Sequence, residues 1–124
     1  MSEGFCDFTI EADGDGMADV FRAGMVTARV AHKCTECDGP IEPGQRFERI
    51  GMKYEGRWAV DRLCSACSEI SREFFDGARM LGILWDELEG NWDEGAHLQA
   101  CLNRLSTTTA KEHMRRQWLK WKGL

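Results

Sequence analysis

Two matched pairs of cysteines, Cys34-x-x-Cys37 and Cys64-x-x-Cys67, stand 26 residues apart in a chain of 124. A C-x₂-C pair puts two soft thiolates on one tight turn. Two such pairs close a tetrahedron around a single Zn²⁺. Four thiolates leave the ion no open position, so the expected role is structural rather than catalytic. The same ligand set suits an iron site of the rubredoxin kind or an iron–sulfur centre. A thioredoxin-like redox pair would need one C-x-x-C after a strand in a βαβ pattern, which two spaced pairs do not match. A zinc-finger nuclease would need a catalytic histidine beside a hydrolytic metal. His32 is the only histidine in this segment, and it precedes the first pair.

Other residues could carry chemistry with less definition. Cys6, His97 and Cys101, with His32, raise a second metal site, since His97 and Cys101 share a helix face at four-residue spacing. The plainer reading makes Cys101 a small buried hydrophobe and His97 a polar edge residue. The tail interleaves Arg115, Arg116, Lys120 and Lys122 with Trp118 and Trp121. It suits phosphate pairing and base stacking, or an amphipathic helix that packs Met114, Trp118 and Trp121 on the domain. Arg46, Arg49, Lys53 and Arg57 add bases to the region between the cysteine pairs. The acidic run 86–94 either pairs with the tail or presents an anionic surface that imitates nucleic acid.

The elements that position the cysteines read in order. Gly39 suits the left-handed turn after the first pair. Glu42-Pro43-Gly44-Gln45 fits a type II turn. Arg46–Met52 and Arg57–Leu63 read as antiparallel strands around Glu55-Gly56, with a bulge expected near Gly51. Val26–Val30 suits a short strand leading into the first pair. From Cys64 onward, apolar residues at three- and four-residue steps predict one helix to about Leu88, bent at Gly77 and Gly82. Lys33 and Arg62 flank the thiolates and are expected to offset their charge. Asn91–Glu94 and Thr109–Glu112 have capping-box spacing and predict two further helix starts. Glu11–Gly16, with two Asp-Gly steps, reads as a solvated loop.

The bulk properties bound the class. One compact α+β domain is expected, with an acidic irregular segment at 1–31, a zinc module at 32–76 and a helical extension at 77–124. Four thiolates and a divalent ion take the formal charge from −5 to −7, which argues against sequence-blind DNA binding by the whole surface. No stretch approaches the roughly 18 apolar residues of a membrane span, and the N-terminus lacks a basic region followed by an apolar one. A cytoplasmic chain with reduced thiols is the expectation, which favours metal over disulfides.

Knuckle, β-hairpin and a helix opening on the second pair resemble a treble-clef zinc finger. The chain is similar to small phage- and prophage-encoded proteins of that kind. The likeness rests on Ala28-Arg-Val-Ala-His-Lys-Cys-Thr-Glu-Cys37, Ile41-Glu-Pro-Gly-Gln-Arg-Phe47, Gly56-Arg57-Trp58 and the final Cys64-x-x-Cys67. It covers about residues 5–75. The resemblance implies zinc on Cys34, Cys37, Cys64 and Cys67 and action in a bacterial host cytoplasm. The expected function is a non-enzymatic binding protein that engages a host or phage protein, including possible inhibition of host defence or regulation. The alternative is nucleic-acid binding through the hairpin arginines and the basic tail.

Overall fold

The computed structural model describes residues 6, 9–11, 20–76, 81–92 and 97–123. The elements run β1 (Ile10–Glu11), β2 (Val20–Thr27), β3 (His32–Lys33), β4 (Pro40–Ile41), β5 (Arg46–Tyr54), β6 (Arg57–Cys64), α1 (Ser65–Phe74), β7 (Phe75–Asp76), α2 (Leu84–Asn91), α3 (Leu98–Leu102) and α4 (Thr108–Trp121). The class is mixed α+β, as expected. The central sheet is antiparallel in the order β2-β5-β6. The predicted loop at 11–16 lies largely outside the described residues.

Turn chemistry sets the hairpin. Gly44 has φ of 90° and Gln45 N–H donates to the Glu42 carbonyl at 3.1 Å, so the type II turn is present. Glu55 and Gly56 both take positive φ, 47° and 82°, as a two-residue hairpin turn with right-handed strand twist requires. No bulge forms at Gly51. The register runs unbroken from Phe47↔Cys64 to Tyr54↔Arg57. Strand β2, not a strand at 26–30, covers the other side of β5 from Val20↔Lys53 to Thr27↔Arg46.

The sheet has two distinct faces. Glu48, Ile50 and Met52 alternate onto the face that meets α1 and are buried. Glu48 is held there by a 2.8 Å bond from the Ser68 hydroxyl. Helix α1 answers with Cys67, Ile70, Ser71 and Phe74 at three- and four-residue steps. Ile10, Leu84, Leu88, Leu102 and Met114 complete the core from the remaining elements.

The predicted long helix is broken in two. Helix α1 ends at Phe74, and Phe75 turns extended (φ −81°, ψ 133°) to pair β7 in parallel with β1. Gly82 then takes φ of 87°, a left-handed value that no right-handed helix holds. An apolar period alone does not reveal such an interruption, because Phe74, Leu84 and Leu88 stay on the buried side throughout. Asn91 closes α2 instead of opening a helix. Helix α4 starts earlier than predicted: Thr107 is its cap, and its hydroxyl accepts from Ala110 N–H at 3.2 Å. The acid serving this helix end comes from α1. Glu69 accepts from Ser106 N–H, from Thr107 N–H at 3.3 Å and from the Thr107 hydroxyl at 2.7 Å.

Candidate metal centre

The first pair sits on a tight turn between β3 and β4. Cys34 N–H donates to the Gly39 carbonyl at 2.8 Å, and Asp38 N–H to the Cys34 carbonyl at 3.0 Å. Asp38, not Gly39, takes the left-handed conformation, with φ of 61°. Aspartate tolerates that region better than most side chains. Gly39 is needed for a different reason. A Cβ there would stand 3.2 Å from Cys37 Sγ, where the Gly39 amide itself approaches the sulfur at 3.4 Å.

The second pair straddles the β6–α1 junction. Cys64 is both the last strand residue and the helix cap, and its Sγ accepts from Cys67 N–H at 3.5 Å. Thr35 brings the two pairs together. Its N–H donates to the Arg62 carbonyl at 2.7 Å, and its hydroxyl accepts from Arg62 N–H at 3.1 Å. The same hydroxyl donates to Asp61 at 3.2 Å. A residue between two cysteines thus zips the first turn onto the edge of β6.

The result is one cluster. The four sulfurs all lie within 4.8 Å of one another. A tetrahedral ion with metal–sulfur bonds of about 2.3 Å needs sulfurs about 3.8 Å apart, so a small contraction seats it. Cys34 and Cys67 are buried, while Cys37 and Cys64 are half-buried. The donor set and its compactness fit a single four-coordinate ion.

Each sulfur also accepts one N–H bond. Cys34 Sγ takes Cys64 N–H at 3.3 Å, Cys37 takes Gly39, and Cys64 takes Cys67. Cys67 Sγ meets His113 Nε2 of α4 at 3.4 Å. Arg116 Nη2 lies 3.2 Å from His113 Nδ1. A guanidinium only donates, so Nδ1 accepts and Nε2 carries the hydrogen directed at the sulfur. His113 also meets Trp85 edge to face at 5.3 Å. The predicted charge compensation by Lys33 takes another form: its ammonium faces Asp38 at 3.8 Å in solvent, and the sulfurs receive N–H dipoles instead.

As thiols, the four share protons unequally. Hydrogen bonding with Cys34 first, then with Cys64 and Cys67, holds Cys37 far below the usual thiol value. Cys34 is lowered to about 7: its bond to Cys37 works against this, and those to Cys64 and Cys67 outweigh it. Bonds to Cys34, Cys37 and Cys64, with burial, push Cys67 far up. Cys64 is likewise raised, chiefly by Cys34 and Cys37. A cation seated among the four would take the place of their protons, since the thiolate is the ligating form.

The second metal site, raised above only as an alternative, does not form, and Cys101 is buried as the plainer reading had it. Cys6 and Cys101 are joined in a disulfide, so neither offers a thiolate. The expectation of six reduced thiols falls with it. His97 is exposed, and His32 stacks on Phe47 at 5.4 Å. Arg104 holds the bridge region, donating to the Cys6 carbonyl at 3.2 Å and pairing with Glu73 at 3.0 Å.

The predicted contact residues separate. Arg49 and Lys53 share the sheet face away from α1, whereas Arg46 and Arg57 stand on the opposite face at its two ends. Arg115, Arg116, Lys120 and Lys122 are exposed on or just after α4. Trp121 is half-buried against Trp85 and Trp92 at 6.4 and 5.7 Å, and Met114 is fully buried. Trp118, half-buried, carries the Lys122 ammonium 5.6 Å from its ring centre. The tail is therefore a packed amphipathic helix with its charges outward. Just before the acidic run, at the start of α2, the Leu84 N–H is capped from elsewhere: Glu36, between Cys34 and Cys37, accepts it at 2.9 Å.

Sequence reasoning missed Thr35, Glu36 and His113, and named Arg116 only as a surface contact rather than as the partner of His113. A C-x-x-C search has no term for them, since each acts across 26 or more residues except Arg116, whose three-residue step from His113 on a helix was readable. Compared with protein-family models, curated protein sequences and solved structures, the chain shows no significant match to any of them. No helix among the described residues is long and apolar enough to cross a membrane.

Proposed function

We propose that this chain is a zinc-braced binding protein of treble-clef architecture, with no catalytic role for the ion. The carrying observation is the four-sulfur cluster in which every sulfur accepts one N–H. Zinc suits four thiolates in a closed tetrahedral shell, and such an ion contributes folding free energy rather than chemistry. The order of turn, β5–β6 hairpin and helix α1 around the two pairs supports the treble-clef assignment. With four sulfurs taking all four tetrahedral positions, function falls to the surfaces that the ion holds in place. The resemblance of residues 5–75 to phage-encoded proteins supports a host or phage protein as the partner, with inhibition of a host complex as the sharpest form.

A second reading is favoured by a specific observation. Arg49 and Lys53 stand on the open face of the sheet beside Trp58, which is 57% exposed. Cations around an exposed indole suit nucleic acid. Both readings depend on the metal. Native and denaturing mass spectra of the purified protein should differ by one zinc ion, and chelation should unfold the sheet-and-α1 unit. A protein that keeps its fold after complete metal removal would sink the zinc-braced reading.

A further inference from the structure

The face of the central sheet that turns away from α1 has an unusual composition. Its paired positions are Arg22, Gly24 and Val26 on β2, Phe47, Arg49, Gly51 and Lys53 on β5, and Trp58, Val60, Arg62 and Cys64 on β6, with Val20 at the far end. Among the described residues four cations occupy this face and no carboxylate does, in a chain whose net charge is −5. Among the described residues none of the four is ion-paired. Arg49 and Arg62 are direct cross-strand partners. Like charges placed opposite each other destabilise a sheet, and an anion between or above the two guanidinium groups would relieve that repulsion.

The arrangement around Gly51 adds a stacking element. A Cβ at Gly51 would meet Arg49 Nη1 and Trp58 Cζ3, each at 3.9 Å, so the guanidinium and the indole converge above the bare glycine. Lys53 Nζ lies 5.9 Å from the Trp58 ring centre. An exposed aromatic plane therefore sits among cations. Phosphate oxygens recognise the cations, and a nucleobase recognises the plane. A base held inside a duplex cannot offer its face to an indole, which selects single strands.

We propose that this sheet face binds single-stranded nucleic acid, with phosphates on Arg22, Arg49, Arg62 and Lys53 and one base stacked on Trp58. The proposal rests on the nucleic-acid reading above and relocates it. Arg46 and Arg57 fall outside the site, Arg22 and Arg62 enter it, and the α4 tail is dispensable.

The experiment is fluorescence anisotropy with a labelled single-stranded 12-mer, against its duplex, using the zinc-loaded full chain. Four phosphate contacts give a slope of about −3 in log affinity against log salt, a loss of roughly 50-fold between 50 and 200 mM. Trp58→Ala should weaken binding roughly 5- to 150-fold. Trp58 is exposed, so its replacement leaves the fold intact, which circular dichroism checks. Arg49→Gln should lower the slope by about 0.7. The double variant Arg115→Gln, Lys120→Gln should bind as the parent does. Binding lost in the tail variant but kept in Trp58→Ala and Arg49→Gln overturns the sheet site while leaving nucleic-acid binding standing. No salt-sensitive binding by the parent overturns both. Preference for the duplex, or displacement by polyglutamate as effective as by unlabelled oligonucleotide with no effect of Trp58→Ala, overturns the single-strand assignment.

Discussion

Replacing His113 by phenylalanine isolates one hydrogen bond at the metal centre. The ring packing against Trp85 is retained, and the N–H directed at Cys67 is lost. Cys67 is wholly buried, so water does not take the place of the missing donor. A hydrogen bond to a charged acceptor contributes about 1.5–3 kcal/mol. The long 3.4 Å contact to sulfur places this one toward the low end, about 1.5–2 kcal/mol. That corresponds to a fall in zinc affinity of roughly 10- to 30-fold, within the range for groups that orient metal ligands. Competition against a chromophoric chelator measures the affinity, and the thiolate-to-cobalt bands of the Co²⁺ form report on the cluster. Arg116→Leu should have a smaller effect, because Arg116 acts through the ring. In the His113→Phe background it should add little, which a double-mutant cycle tests. A folded His113→Phe protein that binds zinc within twofold of the parent, with unaltered cobalt bands, would refute the reasoning.

Two further perturbations follow from contacts outside the centre. The Cys6–Cys101 bridge spans 95 residues of sequence. Cys6→Ser should lower stability by about 2–4 kcal/mol in urea titration, and an unchanged midpoint would count against a closed bridge in solution. Glu69 is drawn below the ordinary carboxyl value: burial opposes the shift, and bonds from Thr107 and Ser106 outweigh it. A lowered folded pKa stabilises above the unfolded value, near 4.5, and that contribution fades as pH falls through the lowered one. The stability gap between parent and Glu69→Gln, at saturating zinc, should therefore narrow on acidification below about 4.5; a pH-independent gap would refute it.

Legibility tracked sequence distance. The cysteine spacing, Pro43-Gly44 and Glu55-Gly56 act within a few residues, so residue type specified their geometry. The apolar steps after Cys64 correctly marked a buried side and missed the break at Phe75, because β7 exists only where β1 reaches it from 65 residues upstream. Capping boxes failed similarly: Thr107 takes its acid from Glu69, a contact between helices rather than along one. The base-rich hairpin was visible as composition. Its division between two faces needed only strand alternation, while the place of Arg22 beside it needed the pairing of β2 with β5. Cys6 and Cys101 had no local signal pointing to each other, and the spacing of His97 and Cys101 suggested a different chemistry.

The Glu36–Leu84 and Cys67–His113 contacts bear on what could be transplanted. Residues 32–76 contain all four cysteines of the candidate metal centre and look portable on a map of cysteines. Cut out, that span would carry four thiols with three of their four N–H donors, and Glu36 would lose the helix end it caps. The smallest graft that keeps the centre's own hydrogen bonds runs at least to His113, and to Arg116 if the tautomer is to be kept. The C-terminal helices are thus part of the fitting around the four sulfurs, and shortening the chain from that end would disturb the candidate metal centre before it touched a cysteine.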